Sequence, residues 1–428
     1  MAGTEGHIIM QQVNAAAMEE DAVAIARRKI AGGRNAPFFR KPYLDAAFNG
    51  SLFLWDTCMI AAWAKYYTRE LPVIPALDNF YRVQDADGFL CREYLPDGTA
   101  AWDKGHPIAV APPILAWAEL ELHSRTADLQ RLRKVYPALV RLHRYMERTY
   151  REDDGLYFSD AHGSGMDNIP RAPRGWKPDG NGIALDIERC HPSVREFARV
   201  TAKDAELGNC LAWNRQGRAV DLSAQMALDA GHLARIASLL GRPAEESSWQ
   251  RERDAINETI NRRCWSATAA FYLDLGYGKP IERRHVGMFW TLWSGAAAER
   301  TQRQALVRAL QDPARFNRPV PVPSLAADEP EYKPWGQYWR GGVWAPTTYM
   351  VLRGLRACGE ERAAARIARR LYNAVACVWR HTGTFWENYA PETLSYGQPA
   401  RPDFCGWTAL VPVSIRREFH TDERNGVL

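Results

Sequence analysis

AVDLSAQMALDAGHLARIASLLGRP, residues 219–243, decides the fold class. Leu222, Met226, Leu233, Ile236 and Leu240 follow one another at three-, four- and seven-residue steps, which gathers apolar side chains on one side of an α-helix. Gly241 and Pro243 end it, because glycine accepts the left-handed turn after a helix and proline cannot continue one. The same period returns on both sides. Upstream, Met18-Glu19-Glu20-Asp21 leads into AVAIARRKIAGG, an N-terminal helix within residues 1–35 that packs on or leads into the main body. Helical patterns follow from Asp56 to Tyr67, in ALDNFYRVQ after Pro72 and Pro75, in ILAWAELELHSRT with Pro112 and Pro113 at its start, and from Pro137 through Leu139, Leu142 and Met146. Downstream they recur over 246–262, 285–297, 299–311, 343–355, 363–378 and from about Trp407.

About a dozen helices, few strands and no linker-like change of composition describe an all-α chain in a single domain, residues 1–428. The helices show no fixed repeat length, which argues against a solenoid. A barrel of inner and outer helices, an (α/α)6 toroid, is one arrangement that buries so many in one body. The long Gly-, Pro- and aromatic-rich loops at 151–193, 317–342 and 381–404 would then build a pocket at one end.

Composition narrows the function. With 46% hydrophobic and 25% charged residues, the chain suits an ordinary folded protein. The net charge of +5 is spread without a Lys/Arg block, so nothing points to nucleic acid. No apolar run approaches the eighteen or so residues of a membrane span. Residues 1–22 lack a basic stretch leading into a long apolar one, so no secretion signal is expected. The eight cysteines form no C-x-x-C pair, and Cys58 and Cys377 sit in apolar runs; reduced thiols in a cytoplasmic protein are expected. Sixteen tryptophans and seventeen tyrosines are many, and such rings form platforms for sugars as well as filling cores. A homo-oligomer is compatible with all of this.

Three acids stand out. HGSGMDNIPR, residues 162–171, holds Asp167 among glycines that allow a sharp turn, with Arg171 a candidate substrate clamp. Asp56 in FLWDT and Glu387 in FWENY are flanked by aromatics. Hydrolysing a glycosidic bond takes one carboxylic acid and one carboxylate across the sugar. Bland readings stand beside this one: an Asx turn at Asp167, a helix cap at Asp56 and at Asp221, a solvated loop acid at Glu387 with Glu392 as its competitor. Asp78, Arg92 and Glu93 read as a structural ion-pair group. The histidines show no H-x-x-x-H or H-E-x-x-H, so no metal is expected.

Taken together, FLWDTCMIAAW, DGFLCREY, PPILAWAELE, DDGLY with GSGMDNIPR, VPSLAADEPEY, YWRGGVWAPTTYMVLRGL, FWENYAPET and FCGWTALVPV resemble, in this order, the motifs of glycoside hydrolase family 63. They resemble its compact mannosylglycerate and glucosylglycerate hydrolases, and more distantly the trehalases of family 37. The resemblance spans about residues 40 to 417. It implies an (α/α)6 barrel and an inverting α-glycosidase without metal or organic cofactor. By residue, it implies that Asp167 is the general acid, Glu387 the general base, and Asp56, next to Trp55, the holder of sugar and water. Arg92, Arg171, Trp339, Arg340, Trp344 and Trp386 fall in motifs that line the sugar subsite. Ile169, Gly342-Val343 and Thr393-Leu394 depart from the usual motifs, and substrate choice is expected to sit near them.

The expected partner is a small carbohydrate, an α-glucoside or α-mannoside such as a disaccharide or glycosylglycerate. Two alternatives remain at this stage: a sugar isomerase or epimerase drawing on His106, His285 or His381, and a catalytically inactive carbohydrate-binding protein.

Overall fold

The computed structural model describes residues 14–46, 50–105, 107–171 and 216–420. His106, Cys190, Cys210 and the part of the expected 151–193 loop beyond residue 171 lie outside them. In chain order, the first helices are α1 (Ala15–Arg28), α2 (Leu54–Ala64), α3 (Val73–Val83), α4 (Leu115–Thr126) and α5 (Leu129–Tyr150). After the undescribed stretch come α6 (Val220–Leu239), α7 (Pro243–Cys264), α8 (Trp290–Ser294) and α9 (Arg300–Gln311). Last are α10 (Ala345–Ala357), α11 (Glu361–Thr382) and, after a 3-10 turn at Thr408–Leu410 and a π turn at Val411–Ile415, α12 (Arg416–Phe419).

Two kinds of helix alternate. In α2, LWDTCMIAAWA, all eleven residues are buried, so it meets protein on every side. It packs on α4, α4 on α6, α6 on α8, α8 on α10, α10 on the 408–410 turn, and that turn back on α2. The contacts close a ring. Against it from outside lie α1 on the 408–415 segment, α3 on α2, α5 on α4 and α6, α7 along α6, and α11 on α10. These bury one face only, as the stripe Ala364, Ile367, Ala368, Leu371, Val375 and Val378 of α11 shows. Closure is fastened at both ends of the chain: the Trp63 indole N–H donates to the Gly406 carbonyl at 2.7 Å, and the Ser414 hydroxyl to that of Ala62 at 2.9 Å.

Several boundaries differ from the expected ones for local reasons. α1 takes in the acidic stretch because Asn14 caps it, accepting from the N–H of Ala16 at 3.1 Å. α5 starts eight residues before Pro137, where the Asp128 carboxylate caps the Arg131 N–H at 2.9 Å. The proline is carried inside it. The 285–297 stretch is a 3-10 turn, Val286–Phe289, running into the five-residue α8. No helix among the described residues is long and apolar enough to cross a membrane. Cys58, Cys91, Cys264, Cys358, Cys377 and Cys405 are free thiols.

Two buried charge clusters brace the ring. Near the C-terminal end of α2, Lys65 meets Glu121 of α4 and Glu418 of α12, the latter at 2.7 Å, and Arg353 of α10 reaches Glu121 at 2.9 Å. Where α5, α6 and α7 meet, the fully buried His143 ring donates to Asp229 and Glu252, each at 2.7 Å. Burial alone would lower its pKa, but the two carboxylates outweigh that and push it up to about 9 from 6.5. The stabilisation is therefore complete below pH 6.5 and lost as pH climbs through about 9. We expect the unfolding free-energy gap between wild type and His143→Gln to shrink by about 3 kcal/mol over that range. Denaturant titrations at pH 6 and above pH 9 read it, and a gap constant with pH would refute the charged triad.

Candidate active site

A cavity of about 240 Å³ lies where α2 begins. Asp56, in the first turn of α2, faces it; so do Ala111, ahead of α4, and Trp407, just before the closing segment. The antiparallel pair Leu52–Phe53 and Glu93–Tyr94 sets Phe53 opposite Glu93, which brings Arg92 and Glu93 onto the same wall as Asp56.

Asp167 is delivered by a tight turn. The Asp160 carboxylate accepts from the Gly163 N–H at 2.5 Å, and the Met166 N–H donates to the Ala161 carbonyl at 3.1 Å. Glycine is required at 163, where a Cβ would stand 2.4 Å from the Pro107 carbonyl oxygen, and at 165, where φ is +77°. Beyond the turn, Asn168 docks the loop on another: its amide donates to the Gln337 carbonyl at 3.1 Å and accepts from the Trp339 N–H at 2.8 Å. Arg92 spans the turn, donating to the His162 carbonyl at 2.6 Å and to Asp167 at 3.2 Å.

Glu387 enters from the loop after α11. Its backbone N–H donates to the Arg401 carbonyl at 2.9 Å, and its own carbonyl accepts from the Trp407 indole at 2.9 Å. Its carboxylate accepts from the Tyr338 hydroxyl at 3.2 Å and the Arg401 N–H at 3.3 Å. Burial pushes its pKa up to about 7 despite Arg401 and those two donors. Burial likewise pushes Asp56 up to about 8, with Arg92 opposing and the charges of Glu387 and Asp167 adding to the rise. Burial also holds His162, on the cavity wall, below the usual imidazole range.

The expected site residues divide. Asp56, Trp55, Arg92, Asp167, Trp339 and Glu387 share the cavity wall. Arg171, Arg340, Trp344 and Trp386 stand off it. Arg171 is not placed as a clamp: its guanidinium grips Asp221 at 2.6 and 2.9 Å and Asp274 at 3.1 Å, fastening the Asp167 loop to the start of α6. Asp221 is thus an ion-pair partner in the first turn, and Ala219 holds the cap position. Trp344 backs the wall, its ring 3.9 Å from that of Trp339 and nearly parallel to it. Trp386 stacks on Tyr396 at 3.6 Å instead. Glu392 is held by Arg318 through two contacts of 2.7 Å, away from the cavity. Ile169 and Val343 are fully buried, and Leu394 is exposed; none of the three lines the cavity.

Glu93, Trp102, Tyr338 and Arg401 line it without having been singled out for the site. The supposed ion-pair group of Asp78, Arg92 and Glu93 splits, since Asp78 pairs with Lys41 and Arg131. Residues 401–407 carried the available signal, an aromatic motif just before a helix. Among the described residues, no group of three His, Cys, Asp or Glu side chains is placed to hold a metal.

Residues 54–408 match the family model described as a mannosylglycerate hydrolase MGH1-like glycoside hydrolase domain. A Rubrobacter radiotolerans protein named mannosylglycerate hydrolase is 25% identical over 418 residues, covering 84% of this chain and 89% of that one. A Borreliella burgdorferi protein named only as uncharacterized is 22% identical over 342 residues, 78% of this chain and 63% of that one, so the chain spans less than two thirds of that relative. In fold, the chain is similar to the GH63 mannosylglycerate hydrolase of Thermus thermophilus crystallised with Tris and D-glycerate. The TM-score is 0.68 at 22% identity, over 92% of this chain and 99% of that one.

The Tyr338 hydroxyl favours the charged form of Glu387, so Tyr338→Phe should move the Glu387 titration further above about 7. A lost hydrogen bond to a charged group corresponds to a rise of about one pKa unit. Carbon-13 NMR of labelled glutamate carboxyls reads the shift, and an unmoved or lowered value contradicts the contact.

Proposed function

Because the chain belongs to the mannosylglycerate hydrolase MGH1-like glycoside hydrolase family, and is thus a glycoside hydrolase, we propose that it is an inverting α-glycosidase of small α-mannosides or α-glucosides of the glycosylglycerate type. The observation that carries the reading is the convergence of Asp167 and Glu387, from loops 220 residues apart in the chain, on one small cavity beside Asp56. We read the alternating inner and outer helices as an (α/α)6 barrel forming a single catalytic domain, supported by the closed ring of contacts.

In this mechanism Asp167 is the general acid that gives a proton to the leaving oxygen, while ionised Glu387 draws one from the attacking water. A base with a pKa of about 7 is well matched to that task near neutrality, ionised often enough yet still basic. Asp56, neutral below about pH 8, can donate a hydrogen bond to a sugar oxygen. Trp55 and Trp339 line the cavity, and their buried indole N–H groups meet no acceptor among the described residues, which suits a ligand rich in oxygens. A volume of about 240 Å³ favours a short substrate over a polymer. Arg92 and Arg401 on the wall favour an aglycone that carries a carboxylate over a neutral second sugar.

Isomerase chemistry fits less well. It moves a proton beside a carbonyl and commonly uses paired histidines. Among the described residues His162 is the histidine on the wall, whereas His285 bonds Asp274 at 3.1 Å and His381 lies in the last turn of α11.

Purified protein offered mannosylglycerate, glucosylglycerate, trehalose, kojibiose and nigerose should cleave a glycosylglycerate fastest, with the β-anomer appearing first by proton NMR. Asp167→Asn and Glu387→Gln should each lower kcat by about a thousandfold or more, the range of general acid–base catalysis, with circular dichroism unchanged. Near-normal turnover by either variant sinks the assignment. With Glu387 as base, kcat/KM should fall as pH drops below about 7.

A further inference from the structure

Beside the catalytic cavity lies a second recess of about 420 Å³, walled by Phe38, Phe89, Tyr94, Ala100 and Lys104. Its lip is wet, for Lys104 and Asp85, paired at 2.7 Å, are each nearly half exposed. The two linings have one residue in common, Trp102. At 3% exposure it is buried where the two linings meet. On the catalytic side its N–H donates to the Glu93 carboxylate at 3.3 Å, and the Arg92 guanidinium lies 6.0 Å from its ring. On the other side Phe38, Phe89 and Tyr94 line the recess with Asp85 and Lys104, the Lys104 ammonium lying 5.5 Å from the Phe89 ring. That is the mixture of surfaces that suits a sugar ring.

We propose that Trp102 sets the length of substrate the enzyme accepts, acting as a removable partition between the catalytic cavity and a recess able to hold one further sugar unit. This rests on the glycosidase reading above and adds a specificity-determining residue to it. With the indole in place, a glycoside extended toward the recess meets a filled wall. Reduced to a methyl group at position 102, the two spaces become one, and the extension finds aromatic surface beyond.

The test is calorimetric binding of kojibiose with kojitriose, and of nigerose with nigerotriose, to wild type, Trp102→Phe, Trp102→Ala and Trp102→Ala combined with Ala100→Phe. Wild type should prefer the disaccharide of a pair by about tenfold or more, the scale on which a filled pocket rejects added bulk. Trp102→Ala should narrow that preference to about threefold or less, and Trp102→Phe should fall between. Ala100 lines the recess and not the catalytic cavity, so Ala100→Phe should restore the preference in the double variant. Saccharide binding with the same preference in wild type and folded Trp102→Ala overturns the proposal, as does a double variant that restores nothing. If wild type binds none of these neutral sugars yet cleaves a glycosylglycerate, the proposal falls and the glycosidase reading stands; if it cleaves no glycosylglycerate either, both fall. The two failures are therefore distinct.

Discussion

Three carboxyl groups buried around one small cavity are the constraint to which the rest of the molecule answers. Asp56 and Glu387 lose hydration there, and the carboxylate charge beside each makes its own ionisation harder. Arg92, Arg401 and the Tyr338 hydroxyl relieve part of that cost. The scaffold adds to this where α2 starts beside the cavity, because the positive end of a helix dipole favours negative charge. Asp56 in the first turn of α2 is the direct case; Asp221 in the first turn of α6 holds Arg171, and through it the loop bearing Asp167.

The opposite ends of the inner helices show a different solution. Lys65, Glu121, Arg353 and Glu418 are held there as mutual partners. Breaking such a set by removing one member leaves a charge stranded in a dry interior, so the set works as a lock on helix register more than as a source of net stability. One end of the ring is thus open chemistry and the other a plug.

How much of this could be read from the sequence depended on the range of the interaction. The helix at 220–239 is written in its own period, because its core face repeats within one turn. The first two turns of α5 were hidden, since only Leu132, Val135 and Tyr136 of LQRLRKVY are buried and the eye is drawn to Pro137. Asp167 and Glu387 were legible because glycine and aromatic residues around an acid leave a local mark. The role of Arg171 was not, because its partners lie 50 and 103 residues away. Trp339 and Trp344 belong to one motif, and only their stacking decides which of them meets the cavity. Arg401 sits in GQPARPDF, a stretch without period, and reaches the site by exchanging backbone and side-chain bonds with Glu387.

The bond from Trp63 to the Gly406 carbonyl crosses 343 residues of chain, and it ties the earliest inner helix to the latest inner segment. On a ribosome moving at about 5–20 residues per second, α2 waits on the order of tens of seconds for that cover. Throughout this time LWDTCMIAAWA is an apolar helix with an open flank, a natural substrate for a chaperone. Birth order therefore makes the most buried helix of the finished ring the one that spends longest looking for company.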